Sequence, residues 1–293
     1  MHAQYSRRHV LKSAAAISAM SALSTGLFVE RAAAAAADTA PIIKRPIPRS
    51  GEMLPVVGIG TFTVFDYKDD PKRYAATRDV IAALVKGGGS LIDTAPDYKE
   101  SEPRIGDIVK DLKIRDKVFL STKVYQHIRE PAQRESMAAS LALLQMAKVD
   151  LMSWHGVRNN DATMDVLKEF KAAGYTRYVG ITNAQQSRHA ATEAVMTREK
   201  PEFLQIDLSL DDRASEERLL PLARDIGAAV MINVPLGHGA LLRKTRDMPL
   251  PGWAKDIGAT SWAQVFLKYV LSTPGVTCVI PATGNRSEEH TSE

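Results

Sequence analysis

The chain has 293 residues, a length that fits one large domain or two small ones. Apolar residues make up 45% and charged residues 25%, which is ordinary for a globular protein and excludes a disordered or collagen-like chain. The single cysteine, Cys278, excludes an internal disulfide framework and a multi-cysteine zinc site.

The net charge of +4 is concentrated at the N-terminus, where four of the 38 Lys and Arg residues and one of the 34 Asp and Glu residues lie within positions 1–37. The rest of the chain is nearly neutral and has no cluster of basic and aromatic residues. Nucleic-acid binding needs a concentrated basic face, so we expect no nucleic-acid partner.

Residues 1–37 have the composition of an export signal. Arg7 and Arg8 precede an Ala- and Ser-rich apolar run, residues 13–29, and an alanine tract follows. This order resembles a twin-arginine signal peptide, which implies the twin-arginine export machinery as a partner and a periplasmic mature protein starting near Ala37 or Asp38. The apolar run is shorter than a spanning helix needs, so we expect no stable membrane insertion of the mature protein. A disordered basic tail and an uncleaved membrane tether are the alternatives.

Residues 286–293 read as the translation of a common sequencing adapter. The alternative is a charged helix start in which Ser287 is the N-cap. We interpret these residues as an artefactual tail that interrupts the natural chain near Asn285. On this interpretation the helix that would close the fold after the last strand is missing.

Short apolar runs alternate with longer helical patterns from Leu54 onward, as in a parallel sheet whose strands are joined by helices. The predicted strands are Val56–Ile59, Leu91–Asp93, Val118–Thr122, Leu151–Trp154, Tyr178–Ile181, Phe203–Ile206, Ala229–Ile232 and Thr277–Ile280. Eight such units predict an α/β fold, a (β/α)8 TIM barrel in one domain over residues 54–285, preceded by an N-terminal extension at 38–53.

Between the strands, apolar residues recur at spacings of three and four, as in helices that cover a barrel. The helical segments singled out are Arg73–Lys86, Arg134–Met146, Met164–Ala173 and Thr260–Val270. The stretch Leu236–Ala259 contains Pro249, Pro251 and Gly252 and predicts an extended loop.

An open dinucleotide-binding fold is the competing architecture. It is typically marked by Gly-x-Gly-x-x-Gly between the first strand and helix. Here Gly58 and Gly60 are followed by Thr61, Phe62 and Thr63, so the third glycine is missing and the barrel is favoured.

Four polar side chains lie at the ends of successive predicted strands or just beyond. Asp93, Lys123 and His155 end the second, third and fourth strands, and Tyr98 follows Asp93 by five residues. Because the carboxyl ends of barrel strands meet on one face, we expect these four side chains to converge.

The sequence around these residues resembles the aldo-keto reductases, in the order of that family. The similar segments are Gly58–Thr61, Leu91–Tyr98, Ser101–Glu102, Ser121–Lys123, Asp150–His155, Gly180–Asn183, Leu204–Ile206, Pro235–Gly237 and Val279–Thr283. The resemblance implies that Asp93, Tyr98, Lys123 and His155 are a catalytic tetrad.

Residue chemistry gives each of the four a role in reducing a carbonyl. Tyr98 would donate the proton, and a nearby Lys123 ammonium would lower the phenol pKa so that donation occurs near neutral pH. Asp93 would hold the ammonium, and His155 would hydrogen-bond the carbonyl oxygen. Each could instead be a packing residue or a surface ion pair, but their joint placement favours catalysis.

The resemblance also implies a nicotinamide cofactor, because side chains carry no hydride. Thr182 or Asn183, with Gln205, would bind the carboxamide, and Thr61 and Asp93 would contact the ribose. For Asn183 and Gln205, turn formation and barrel packing are the alternative.

The backbone amides of Leu236 and Gly237, with Thr283, are implied to hold the pyrophosphate. Pro235, Pro281 and Ala282 are further residues implied to bind the cofactor. The residues that would grip an adenosine 2′-phosphate fall at Gly284–Asn285 and beyond. NADPH is the implied cofactor, with NADH as the alternative, and no metal is expected.

Three positions depart from the family pattern. Leu208 and Asn233 stand where a tyrosine is frequent, which places an aromatic stack under the nicotinamide in doubt. Lys99 replaces the glycine that commonly follows the catalytic tyrosine.

The expected function is NAD(P)H-dependent reduction of a small aldehyde, ketone or sugar carbonyl with Tyr98 as general acid. The alternative is a non-catalytic, nicotinamide-binding redox sensor or partner subunit of the same fold. Its motivation is the scarcity of free NADPH outside the cytoplasm.

Overall fold

The computed structural model describes residues 42–124, 132–157 and 163–284. The expected signal peptide at 1–37, the expected adapter-derived tail at 286–293 and the absence of a closing helix concern residues outside these ranges.

Eight parallel strands form the sheet, and their order in space is their order in the chain. They are β3 Ile59–Gly60, β4 Leu91–Asp93, β5 Phe119–Val124, β6 Val149–His155, β7 Thr176–Asn183, β8 Phe203–Asp207, β9 Ala229–Asn233 and β10 Val276–Val279. Parallel bridges from Val57 to Val279 and from Gly60 to Ala282 join the two edges. The predicted (β/α)8 barrel is confirmed.

Helices lie between the strands throughout the described residues. They are α1 Pro71–Lys86, α2 Ser101–Leu112, α3 Ala132–Leu143, α4 Thr163–Ala172, α5 His189–Glu199, α6 Leu219–Asp225, α7 Ala240–Thr245 and α8 Trp262–Ser272. Within the described ranges, none of these helices is both long and apolar enough to cross a membrane.

Successive side chains of each strand point alternately toward the surrounding helices and toward the barrel interior. Leu120, Met152 and Ile181 belong to the large outer core that also contains helix residues. Phe119, Leu151 and the other inward-facing residues form a second, smaller core. At the carboxyl ends of the strands the inward positions turn polar, so that the functional side chains rest on an apolar layer.

A β-hairpin contributes to the opposite end of this inner core. Strands β1 Lys44–Pro46 and β2 Met53–Pro55 pair antiparallel, and Ile47 and Leu54 are buried with the inward-facing residues. Most of the hairpin lies in the segment predicted as an N-terminal extension, and the expected boundary at residue 54 falls inside β2.

Two further elements differ from the sequence expectation. The first barrel strand is Ile59–Gly60 rather than Val56–Ile59. Val57 joins the last strand only through an isolated bridge with Val279, and Val56 donates a backbone hydrogen bond to Ile43 at the hairpin. The expected extended loop at 236–259 contains α7, which begins after Gly239 in the left-handed region (φ +75°) and buries Leu241.

Candidate active site

Asp93 and Lys123 form a buried ion pair inside the barrel. Asp93 ends β4, Lys123 lies near the end of β5, and Lys123 Nζ is 2.8 Å from Asp93 Oδ2. Lys123 Nζ also donates to the carbonyl oxygen of Thr94 at 2.7 Å. Burial acts against the charge on Lys123, but Asp93 and Tyr98 outweigh it, and the pKa of the ammonium is raised. Lys123 is therefore a fixed positive charge at neutral pH.

Two further donors hold the carboxylate of Asp93. Ser121 Oγ donates to Oδ1 at 2.7 Å, and Gln205 Nε2 donates to Oδ2 at 3.0 Å. Ser121 lies two residues before Lys123 on β5 and therefore faces the same side. With three side-chain partners, Asp93 has little freedom to rotate away from Lys123.

Tyr98 ends a single 3₁₀ turn, Pro96–Tyr98, directly after β4. Lys123 Nζ lies 5.2 Å from the centroid of its ring. Burial raises the pKa of the phenol, while the neighbouring Lys123 ammonium lowers it, and the net direction is upward. The predicted influence of Lys123 is present, but it does not bring the pKa of Tyr98 below its ordinary value as expected. The phenol is protonated at neutral pH.

His155 ends β6 and also lies near the Tyr98 ring. The centroids of the two rings are 6.1 Å apart and their planes are nearly perpendicular. His155 Nδ1 is 2.8 Å from Asp97 Oδ2, in the same 3₁₀ turn that carries Tyr98. The structure therefore brings all four predicted tetrad residues together and adds Asp97 to them.

The loop after β3 forms one wall of the mouth. The ring of Phe62 is 60% exposed and its centroid lies 5.0 Å from that of Tyr98. Lys99 has φ +51°, a backbone region that glycine enters more readily, and its Nζ lies 3.1 Å from Asp66 Oδ2. That hydrogen bond lowers the pKa of Asp66. The charge that Lys99 brings to the mouth is thus paired with a loop carboxylate.

Two amide oxygens at the mouth accept no hydrogen bond from any residue that the structure describes. They are Gln205 Oε1 on β8 and Asn233 Oδ1 on β9, and both are buried. The amide nitrogen of Gln205 faces a carboxylate, which only accepts, so its oxygen must point the other way. Buried acceptors of this kind are costly unless a ligand donates to them.

The remaining residues predicted to contact the nicotinamide end of a cofactor occupy different surroundings. Thr182 pairs in register with both His155 and Gln205, beside the amide oxygens. Asn183 instead donates to Thr192 Oγ1 on α5 and to the Gln185 carbonyl oxygen, so its amide faces the helix side. This arrangement favours the turn-forming alternative for Asn183.

Thr61 links two neighbouring strands of the barrel. It is fully buried, and both its amide nitrogen and its Oγ1 donate to the carbonyl oxygen of Asp93. These bonds join the end of β3 to β4 beneath the mouth. A ribose contact from Thr61 stays a prediction.

The predicted pyrophosphate loop follows β9. Pro235 is buried, Leu236 and Gly237 are half-buried, and the amide nitrogen of Gly237 already donates to the Val234 carbonyl oxygen. Gly237 has φ +60°, and a Cβ at this position would lie 2.8 Å from Asp211 Oδ1. A side chain at this position would strain the backbone and crowd Asp211, whose carboxylate also lies 3.7 Å from Lys244 Nζ.

The other predicted cofactor-binding residues lie just beyond β10. Gly60 donates its amide hydrogen to the Pro281 carbonyl oxygen and forms a bridge with Ala282. Ala282 is exposed and Thr283 is half-buried. These residues are on the mouth side of the barrel, at the closure between its first and last strands.

The two positions at which the family frequently has a tyrosine lie in different surroundings. Leu208 is fully buried in the outer core, whereas Asn233 is at the mouth. Neither supplies an aromatic stack. Among the described residues, no group of three or more His, Cys, Asp or Glu side chains is placed to hold a metal ion.

Sequence reasoning missed Ser121 and Asp97. Ser121 could have been found from the two-residue period of β5, because it shares a face with Lys123. Asp97 lies in a turn whose side-chain directions no periodicity predicts, and nothing in the sequence indicates its contact with His155.

Comparison with known proteins shows which family the chain belongs to. The model of the aldo/keto reductase family matches residues 56–292. The chain belongs to the aldo/keto reductase family. As a member it is an oxidoreductase, and the family resemblance of the sequence is confirmed.

Individual aldo/keto reductases are similar to this one over most of its length. An NADH-specific methylglyoxal reductase of Escherichia coli is 30% identical over 248 residues, which cover 72% of this chain and 73% of that protein. Aldo-keto reductase YhdN of Bacillus subtilis is 28% identical over 208 residues, or 65% of this chain and 61% of that protein. The crystal structure of an aldo/keto reductase from Klebsiella pneumoniae in complex with NADP and acetate has a TM-score of 0.71 at 25% identity, covering 83% of this chain and 86% of the other.

Proposed function

We propose that this aldo/keto reductase reduces the carbonyl of a small aldehyde, ketone or sugar to an alcohol, using NADPH or NADH, with Tyr98 as the general acid. The observation that carries the proposal is the buried Asp93–Lys123 pair, with its ammonium 5.2 Å from the Tyr98 ring centroid. A buried charge is costly unless it is paired. Lys123 is paired with Asp93, so its ammonium stays charged and can stabilise the tyrosinate that Tyr98 becomes when it loses its proton.

The polar groups of the mouth fit a nicotinamide. The nicotinamide carboxamide has an NH₂ group, and Gln205 Oε1 and Asn233 Oδ1 are two buried acceptors that need a donor. Thr182 lies beside them. When bound there, the cofactor would supply the hydride that converts the carbonyl carbon to the alcohol carbon.

The protein's own residues handle the proton and the charge on the oxygen. Tyr98 gives its hydroxyl proton to the carbonyl oxygen as negative charge develops there. The fixed Lys123 ammonium stabilises the tyrosinate that is left, and Asp93 keeps the ammonium in position. His155 hydrogen-bonds the same oxygen and fixes the orientation of the carbonyl. Phe62 offers an apolar surface to the rest of a substrate.

The choice between the two cofactors stays open within this proposal. The Escherichia coli relative is named as NADH-specific, and the Klebsiella pneumoniae structure holds NADP. Direct comparison of binding, by the fluorescence of each reduced dinucleotide on titration with the protein, decides between them.

The test of the proposal is the oxidation of each reduced dinucleotide in the presence of a panel of aldehydes, ketones and sugars. We expect turnover with at least one carbonyl, and a loss of roughly 100- to 10,000-fold in Tyr98→Phe because the variant lacks the proton donor. Cofactor binding by Tyr98→Phe, measured by fluorescence, serves as the control for folding. Wild-type protein that binds a dinucleotide and turns over no carbonyl would instead support the non-catalytic sensor.

A further inference from the structure

A groove lies at the end of the barrel opposite the mouth. It has a volume of about 960 Å³ and is bounded by the β1–β2 hairpin, the carboxyl end of α2 and the turns that lead into β5 and β6. Its floor is apolar, because Leu54 and Phe119 of the inner core and Leu144 after α3 are buried beneath it. None of the tetrad residues lines the groove, so it is separate from the candidate active site.

The rim of the groove is positively charged. Six of the lining residues are Lys or Arg, and three are Asp or Glu. Two of these carboxylates are already held by the two arginines. Asp150 pairs with Arg115 and with Arg177. Glu52 also pairs with Arg177. The carboxylate of Asp116 is therefore left against four lysines, which are Lys110, Lys113, Lys117 and Lys148.

The four rim lysines are exposed, and among the described residues none of them has a carboxylate partner. Lys110 Nζ donates to the amide oxygen Oε1 of Gln145 at 3.1 Å. The ammonium groups of Lys113, Lys117 and Lys148 make no hydrogen bond within the described part of the chain. An anionic ligand at this rim therefore gains attraction without displacing an existing ion pair.

Acidic residues close to these lysines in the sequence face elsewhere in the structure. Asp111 accepts a hydrogen bond from the Tyr74 hydroxyl on α1 at 3.0 Å and lies 3.7 Å from Arg78. Asp107 accepts from Gln145 Nε2 at 2.7 Å. A stretch of sequence with mixed charges thus folds into a rim with an excess of positive charge.

Two methionines give the groove an apolar contact surface. Met53 on β2 is 52% exposed, Met146 is half-buried, and both line the groove. Methionine side chains adapt to different apolar partners. Phe119, the aromatic residue of the lining, is 4% exposed and offers no platform on which a base could stack. Charge and apolar contact together fit a peptide better than a nucleic acid.

We propose that this groove binds a segment of a partner protein that carries acidic and apolar side chains. The carboxylates of the segment pair with the four rim lysines, and its apolar side chains contact the two methionines. A small anion fits less well, because the lysine side chains are exposed at the rim and not buried around one point. The proposal concerns a second site and does not depend on the proposed function.

The test is the binding of a short fluorescein-labelled peptide of Glu, Leu and Ser residues to the full chain, measured by fluorescence anisotropy. We expect saturable binding at low salt that weakens as the ionic strength rises, because the attraction is between exposed charges. The same peptide with Gln in place of every Glu should not bind.

Two pairs of charge reversals separate the groove from the general charge of the protein. Lys113→Glu combined with Lys117→Glu should weaken binding of the acidic peptide about 10-fold or more, because two rim charges are reversed. Lys200→Glu combined with Lys255→Glu is the matched control, and it should bind as the wild type does. Lys200 and Lys113 both follow a helix with φ +45° and +54°, and Lys255 and Lys117 both end a 3₁₀ turn. Circular dichroism checks the folding of both double variants.

Methyl NMR of protein labelled at methionine locates the bound peptide. The signals of Met53 and Met146 are assigned by their loss in Met53→Leu and Met146→Leu. Both should shift when the peptide is added, whereas Met248, which is 54% exposed and outside the groove, should not.

The proposal is overturned by any of four results. They are absence of binding, equal binding of the Gln peptide, equal affinity of the two double variants, and shifts at Met248 without shifts at Met53 and Met146. Displacement of the peptide by an oligonucleotide or by anionic lipid vesicles at lower concentration than by unlabelled peptide would also overturn it, because the groove would then have a different occupant. A chain that reduces no carbonyl would contradict the proposed function and leave the peptide measurements unaffected.

Discussion

Tyr98 is subject to two opposing influences that together set the pH dependence of its chemistry. Burial raises the pKa of the phenol from its ordinary value of 10.0, and the Lys123 charge only partly offsets the rise. The protonated phenol is the form that donates in reduction. The deprotonated form, needed to accept a proton from an alcohol, exists to a small extent at neutral pH.

We therefore expect the rate of alcohol oxidation to increase steadily with pH from neutral to alkaline values, without reaching a plateau below pH ~10. The rate increases with pH because the pKa of Tyr98 is raised, so each step upward in pH increases the fraction of tyrosinate. Initial rates of oxidised-dinucleotide reduction with an alcohol, recorded across the pH range in which the protein stays folded, measure this. A plateau near neutral pH would contradict it, and Tyr98→Phe should remove the dependence together with the activity.

The residues of the tetrad were predictable because three of them end buried strands, where chain order fixes the position in space. Side-chain direction within loops and turns was not predictable in the same way. Asp97 is adjacent to Tyr98 and yet its partner is 58 positions further along, at His155. Asn183 is a second example. It lies at the end of a strand, close to where the sequence predicted one, but its side-chain amide faces Thr192 on α5.

At the scale of elements, one carboxylate connects three strands at the end of the barrel opposite the mouth. Asp150 on β6 accepts from Arg115 Nη1 at 3.0 Å, from the amide nitrogen of Leu120 on β5 at 2.9 Å and from Arg177 Nη1 on β7 at 2.9 Å. Its side chain is 6% exposed. The buried amide of Leu120 depends on it, whereas Arg115 and Arg177 each have a further acceptor.

Asp150→Ala should lower the free energy of unfolding by about 1 to 3 kcal/mol, because it leaves the buried amide of Leu120 without its acceptor and removes one of the acceptors of each guanidinium group. Denaturant unfolding followed by circular dichroism measures the change. Asp165→Ala is the control, since Asp165 is 72% exposed and lies 3.7 Å from Lys168 across one helical turn. The control should change stability by less than about 0.5 kcal/mol. Equal effects of the two substitutions would show that the Asp150 network does not stabilise the sheet.

The barrel strands were predictable to within a few residues because strands buried on both faces are continuous apolar runs. The β1–β2 hairpin was missed because its strands are three residues long and partly exposed, each ends at a proline, and neither shows apolar alternation. Helix α7 was missed because Gly237 and Gly239 precede it and prolines follow it. Its formation depends on the burial of Leu241, a tertiary effect that local sequence does not contain.

At the scale of the whole molecule, we propose that the chain is exported in folded form by the twin-arginine route. The support is the order of charged, apolar and small residues over positions 1–37. Replacing both Arg7 and Arg8 by Lys should keep the protein in the cytoplasm of a bacterial host, whereas the unmodified chain should reach the periplasm.

Fractionation of cells that express each version, with activity or antibody detection, measures the outcome. Arg224→Lys, outside the signal, is the control for a general effect of an Arg-to-Lys change, because Arg224 is 65% exposed and only 4.0 Å from Asp225. Periplasmic protein from the double variant would contradict a twin-arginine signal.

Among the described residues, the apolar inner layer and the hairpin fill the end of the barrel interior opposite the mouth. On the proposed function, the cofactor and the substrate therefore reach Asp93, Lys123 and Gln205 through the same opening. Two reactants that share one opening can obstruct each other's arrival and departure, and competition experiments between the reactants and their products would reveal whether they bind in a fixed order.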